Sequence, residues 1–145
     1  MKLTTKTRYG TRAMLDLALH CDEGPISIRD IARRQDLSQK YLERLLVALQ
    51  AAGVVRAMRG AKGGYQLSRP PEQINLREIY HIFEGADGFV ECTSNPEICH
   101  RSDMCITQEV WSEMYGAGMR ILEATTLADL VQRARRKQTV DVYFI

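Results

Sequence analysis

S-I-R-D-I-A-R-R-Q-D-L-S-Q-K-Y-L-E-R-L-L-V-A-L-Q-A-A-G-V-V-R-A-M-R-G-A-K-G-G-Y-Q-L, residues 27 to 67, decides the fold. Ser27 stands three residues before Asp30, a capping-box spacing that opens a short helix running to about Gln35. After Asp36 and Leu37, Ser38 is a second N-cap. From there Leu42, Leu45, Leu46 and Leu49 line one face of a longer helix, which Gly53 stops. Two helices on so short a link, the second starting polar, make either a helix-turn-helix or a plain αα-hairpin. The next residues separate the two. Val54 to Met58 and Tyr65 to Ser68 are extended runs, and R-G-A-K-G-G between them holds three glycines that can take positive φ. A β-hairpin directly behind a helix-turn-helix is a wing, with Arg59 and Lys62 at its tip. The expected fold is mainly α with a small β-hairpin wing: a winged helix-turn-helix domain followed by a long helix.

Upstream, T-R-Y-G-T-R-A-M-L-D-L-A-L-H-C places Tyr9, Ala13 and Leu17, with Met14, Leu15 and Leu19, at helical spacing and predicts a first helix ending near Cys21. Cys21, among apolar neighbours, is expected to be a buried small hydrophobe, and His20 and His81 to be structural. Downstream, Asn75 and Glu78 box a helix through Ile79, Ile82 and Phe83 to Gly85. Beyond a cysteine-rich stretch, Q-E-V-W-S-E-M-Y-G-A-G-M-R-I-L-E-A stacks Val110, Met114, Ala117 and Ile121, with Trp111 and Leu122 alongside. Gly116, Ala117 and Gly118 cost helix propensity there but admit another backbone closely, so this helix is expected to pair with its symmetry mate. Thr126 and Asp129 box a last short helix, and the tail behind it shows no clear period.

Of the 145 residues, 45% are apolar and 26% charged, which excludes wholesale disorder. No run approaches the roughly 18 apolar residues of a membrane span, and M-K-L-T-T-K-T-R-Y-G lacks the apolar core of a secretion signal. A cytoplasmic chain is expected, where thiols stay reduced and clustered cysteines serve metals or redox chemistry more often than disulfides. Charge is uneven. Residues 1 to 84 carry 14 Lys and Arg against 9 Asp and Glu, and residues 85 to 145 carry 6 against 9. The basic half suits a polyanion.

E-C-T-S-N-P-E-I-C-H-R-S-D-M-C, residues 91 to 105, holds three of the four cysteines, Cys92, Cys99 and Cys105. Their spacing is not the tight pair of a zinc ribbon. They do precede a long helix, whose first N–H groups favour thiolates, and thiolates are the usual ligands of iron–sulfur clusters. An iron–sulfur cluster, a zinc site in an adaptor protein and a bare thiol redox switch all remain open on the residues alone. An enzyme built on Cys99 and His100 is not expected: sequence neighbours seldom have nucleophile–base geometry, and no third residue orients them.

K-L-T-T-K-T-R-Y-G-T-R-A-M at the N-terminus, L-S-Q-K-Y-L-E-R-L, V-R-A-M-R-G-A-K-G-G-Y-Q-L and three spaced cysteines before a long helix together resemble the Rrf-two family of bacterial winged-helix regulators. That family includes iron–sulfur, nitric-oxide and iron-responsive regulators, and the resemblance covers roughly residues 1 to 130. It implies a homodimer that binds palindromic operator DNA, with a cysteine-held iron–sulfur cluster, two-iron or four-iron, controlling affinity in response to redox state, iron or nitric oxide. Carried over residue by residue, the DNA contacts are Ser38, Gln39, Lys40, Tyr41, Glu43, Arg44, Arg59, Gly60 and Lys62, and the cluster ligands Cys92, Cys99 and Cys105. The chemistry agrees. The first turn of a recognition helix enters the major groove, where Gln39 suits adenine and Glu43 cytosine; Arg59 suits a narrow minor groove or a phosphate, and Arg8, Arg33 and Arg34 suit phosphates. The fourth ligand is open. One branch has a histidine where this chain has Gln108, and another has an aspartate where it has Arg8. His100, Glu91, Glu97, Asp103 or a small molecule are the alternatives. The organisation expected is a DNA-binding domain over 1–84, a cluster-binding loop over 85–107, a dimerisation helix and short C-terminal helix over 108–137, and a tail over 138–145.

Overall fold

The computed structural model describes residues 3–86 and 90–141, with backbone alone over 138–141. Part of the expected loop, 87–89, and the last four residues of the tail lie outside the described residues. Helix α1, Thr5–Leu19, starts at Thr4, whose hydroxyl accepts the Thr7 N–H. The Glu84 carboxylate takes the N–H and the hydroxyl of Thr4 at 2.8 and 2.7 Å, and the hydroxyl of Thr7. A carboxylate at the positive end of a helix is favourable. Here it also ties the end of α4 (Leu76–Glu84) to the start of α1. The two helices come so close that a Cβ at Gly10 would run into the Phe83 ring.

The predicted caps close the next helices. Ser27 caps α2, Ile28–Gln35, and Ser38 caps α3, Gln39–Ala51. Between them Asp36 takes left-handed backbone at φ 52°, with its N–H on the Ala32 and Arg33 carbonyls. A short polar side chain tolerates that conformation better than a bulky one, and it turns the chain from α2 into α3. Gly53, at φ 75°, ends α3. Strands β1, Val55–Met58, and β2, Gly64–Leu67, pair antiparallel in the register Val55↔Leu67 to Met58↔Gly64. Ile26 adds one rung, exchanging N–H···O bonds with Tyr65 at 2.8 Å each way. That close approach requires Gly64, where a Cβ would strike the Ile26 carbonyl.

The core gathers Met14 and Leu17 of α1, Ile31 of α2, Leu42, Leu46 and Leu49 of α3, Val54 and Val55 at the root of the wing, and Ile74 and Ile79 near α4, all essentially inaccessible to solvent. Each such side chain contributes roughly 1.5–3 kcal/mol on burial. The last helix, α7 (Leu127–Asp141), joins this core through Leu127 and Val131. Leu76 N–H bonds Thr125 O and Leu127 N–H bonds Ile74 O, both at 2.9 Å, which brings its start to the start of α4. It is longer than the short helix expected, running on through Arg133, Arg135, Arg136 and Lys137, all exposed.

Between them run the one-turn α5, Glu91–Ser94, and the 18-residue α6, Ile106–Glu123. Only Met119 of α6 is fully buried. Ile106, Val110, Trp111, Met114 and Ile121 are 41–77% exposed; Ile106, Val110 and Met114 stand four apart and Ile121 seven further on, a helical spacing with Trp111 beside it. Among the described residues no helix is long and apolar enough to cross a membrane.

Candidate nucleic-acid interface and cysteine segment

Because Leu42, Leu45, Leu46 and Leu49 turn inward, the opposite face of α3 presents Gln39, Lys40, Glu43 and Arg44 to solvent. Ser38 is exposed too, its hydroxyl accepting the Tyr41 N–H at 3.2 Å. At the wing tip Arg59, Gly60 and Lys62 are exposed, and the N–H of Gly63 closes the turn on the Gly60 carbonyl at 2.9 Å. Among the described residues none of Lys40, Arg44, Arg59 or Lys62 is in an ion pair. Four cations without acidic partners, on a helix face and a hairpin tip, are what a phosphate backbone requires.

Tyr41 differs from its neighbours. It is half-buried, with its ring edge-on to Tyr9 at 6.0 Å and an interplanar angle of 89°. The Arg12 guanidinium stands 5.1 Å over the Tyr9 ring and donates to the side-chain and main-chain oxygens of Gln35. Tyr41 therefore packs the first turn of α3 against α1, and Arg12 joins α1 to the end of α2.

Two of the arginines assigned to phosphates are already engaged. Arg34 makes a forked bond to Asp16, Nε to Oδ1 at 2.9 Å and Nη2 to Oδ2 at 2.7 Å, and Gln35 Nε2 adds a third donor at 3.0 Å. That bond raises the already high pKa of Arg34. Arg34 is thus a fastener of α2 to α1 rather than a free phosphate contact, because a carboxylate buried in the core needs it. Arg33 pairs with Asp30 at 3.1 Å, with both side chains largely in solvent. Arg8 is exposed beside Thr5. Asp16 is the residue that sequence reasoning passed over; a lone carboxylate between Leu15 and Leu17 on the apolar face of α1 was the available signal. Two of the three histidines bond main-chain carbonyls: His20 Nδ1 to Asp16 O and His81 Nδ1 to Gly85 O, each at 2.8 Å.

The cysteines lie in a chain of tight turns. Cys92 is in α5, turns at Pro96–Ile98 and Ser102–Met104 follow, and Cys105 is the N-cap of α6. All four cysteines are free. Cys92, Cys99 and Cys105 are half-buried, whereas Cys21 is exposed, contrary to expectation. The reason is that α1 ends at Leu19 and a 3-10 turn over Cys21–Glu23 carries the thiol out of the core. Burial, with Asp22 beside it, still pushes the Cys21 thiol up. Cys105 goes the other way: the Thr107 hydroxyl at 3.3 Å, and then the Gln108 N–H, lower its pKa.

Cys99 and Cys105 line one open hollow of about 450 Å³ with Arg101, Met104, Ile106 and Thr107. Cys92 is reached from α6 by Gln108, whose Nε2 donates to the Cys92 carbonyl at 3.0 Å. His100 is exposed. Among the described residues no three His, Cys, Asp or Glu side chains are gathered closely enough to hold a metal ion. The donor chemistry suits a cluster, with three thiols free of disulfides on one short segment; in this conformation the three are not gathered into one site.

The model of the Rrf2 family, described as iron-dependent transcriptional regulators, matches residues 3–133. The protein rrf2 of Nitratidesulfovibrio vulgaris is 45% identical over 92% of this chain and 89% of its own length. Among solved structures, IscR of T. potens is 38% identical with a TM-score of 0.79, over 95% of this chain and 91% of that one. CymR, the global cysteine regulator of B. subtilis, is 36% identical with a TM-score of 0.79, over 92% and 98% respectively.

Proposed function

The chain belongs to the Rrf2 family of DNA-binding transcriptional regulators, and on that premise we propose that it acts as a homodimer on palindromic operator DNA, with the state of Cys92, Cys99 and Cys105 setting its affinity. Its relatives are regulators and not enzymes. One observation carries the reading: Cys105 is the N-cap of α6, and the exposed apolar stripe of that helix supports pairing with a second copy. A change at the thiols therefore acts on the element that sets the spacing of two winged domains. Recognition falls to Ser38, Gln39, Lys40, Glu43 and Arg44 in the groove, with Arg59, Gly60 and Lys62 at the flank and Tyr41 placing the helix.

The state sensed is that of an iron–sulfur cluster held by the three cysteines, supported by their donor chemistry and by the family's description as iron-dependent. When bound, such a cluster supplies an iron- and redox-dependent crosslink between the thiolates. The remaining steps belong to the chain. The segment closes to bring its thiols together, α6 follows, and the winged domains change register on the duplex. A shift of a few kcal/mol between the two states is enough, since 10⁴-fold discrimination corresponds to about 5.5 kcal/mol. A second reading has its own observation. Cys99 shares one hollow with Cys105, whose pKa the Thr107 hydroxyl lowers from its ordinary value, which favours thiol oxidation as the switch.

Titrating a labelled operator duplex at two salt concentrations tests the DNA-binding half of this proposal. If the dimer neutralises ~6–10 phosphates, affinity falls roughly 10³–10⁵-fold between 50 and 200 mM salt. Salt-insensitive binding, or no binding, counts against it.

A further inference from the structure

Gln108 holds two cysteines at once. Its Nε2 donates to the Cys92 carbonyl at 3.0 Å across 16 positions, and its backbone N–H bonds the Cys105 carbonyl at 3.1 Å. The first contact joins α5 to the first turn of α6; the second closes the turn that Cys105 caps. Side chains within the segment do not reach out in this way. The hydroxyls of Thr93, Ser94 and Ser102 turn back onto the Val90, Glu91 and Pro96 carbonyls. Farther along α6, the Tyr115 hydroxyl donates to the Ala86 carbonyl at 3.1 Å, and Glu123 pairs with Arg77 of α4 at 3.0 Å. The helix is thus fastened at its middle to Ala86 just behind α4, at its end to α4 itself, and at its head to the Cys92 turn.

We propose that Gln108 is a positioning residue that couples the Cys92 turn to α6, so that rearrangement of the cysteine segment is passed to the long helix. This rests on the reading that the state of the three cysteines sets operator affinity. The physical reason is the short range of a hydrogen bond, which weakens steeply once geometry departs from about 3 Å and near-linearity. Drawing Cys92 towards Cys99 and Cys105 must therefore either carry the head of α6 along or break the Gln108 bond. A glutamine side chain is also a donor that does not titrate, so the coupling does not depend on pH.

The test uses Gln108→Leu, which removes the donor, and Gln108→Glu, which keeps the shape and replaces the donor with an acceptor. Operator affinity is measured for reduced metal-free, iron–sulfur-reconstituted and diamide-oxidised full-length protein. Amide exchange over residues 91–95 and 106–109 is followed alongside. Both variants should bind operator within twofold of the parent when reduced and metal-free. Their affinity ratio between states should shrink by roughly threefold to tenfold, the worth of one neutral hydrogen bond, and exchange of the Cys92 turn should become independent of α6. A parent ratio well above one that both variants retain overturns the role of Gln108 and leaves the functional reading standing. Equal losses in every state mean that Gln108 serves folding alone, which also overturns it. A parent ratio of one overturns the functional reading and this inference with it.

Discussion

Arg34→Ala is predicted to destabilise the protein more than Asp16→Ala, although the two side chains form one ion pair. The asymmetry comes from burial: the Asp16 side chain is 2% exposed and that of Arg34 28%. Removing Arg34 strands a carboxylate in the core with Gln35 Nε2, at 3.0 Å, as its remaining side-chain hydrogen-bond donor. Stranding a buried charge costs ~3–5 kcal/mol. Removing Asp16 frees a guanidinium that can turn to water, so the loss is nearer that of charge-assisted hydrogen bonds, about 1.5–3 kcal/mol. At about 2–4 °C per kcal/mol for a chain of this size, Arg34→Ala should lower Tm by roughly 6–20 °C and Asp16→Ala by roughly 3–12 °C. Thermal and urea unfolding followed by circular dichroism give both values, and the double variant gives the coupling between the residues. Equal losses from the two single variants, or a coupling near zero, would refute the reasoning. So would an Arg34→Ala protein that keeps its stability but loses DNA, since Arg34 would then be a phosphate contact.

Val110 and Met114 are 48% and 49% exposed, so Val110→Glu combined with Met114→Glu should yield a monomer by sedimentation and leave the melting of the winged core unchanged. An intact dimer would place the interface elsewhere. For the thiols, a lowered pKa leaves Cys105 a larger thiolate fraction at neutral pH, and a raised pKa leaves Cys21 a smaller one. Iodoacetamide at pH 7 should therefore label Cys105 before Cys21, with the gap narrowing as pH rises through the ordinary thiol pKa near 8.5. Access alone predicts the reverse order, because Cys21 is the more exposed of the two. Mass spectrometry of the labelled peptides distinguishes them.

Local signals in the sequence proved dependable where one residue does one local job. Ser27, Ser38 and Asn75 cap the helices they were expected to cap, and Gly53 and Gly85 end the helices before them. The wing was legible from the glycines between two extended runs, although β2 begins at Gly64, one residue early, because Gly64 pairs with Met58. What periodicity does not carry is a partner far away in sequence. Arg34 looked like one more cation of a basic stretch until the fold placed Asp16, 18 positions earlier, beneath it. Tyr41 likewise sits in the first turn of α3 but finds Tyr9. Cys21 was misplaced because apolar neighbours say nothing about where a helix stops. The three clustered thiols were plain in the sequence, but their spacing does not say whether intervening turns draw them together or hold them apart.

The central claim is that the state of the cysteine segment changes operator affinity, and one comparison tests it most directly. Full-length protein, purified anaerobically, is measured against a single operator duplex at fixed salt, first reduced and metal-free, then after iron–sulfur reconstitution, and each again with Cys92→Ala. The account predicts at least a tenfold difference in Kd between the two states of the parent, about 1.4 kcal/mol, and its loss in the variant. Equal Kd values for the two states, or a difference that survives removal of Cys92, would contradict it.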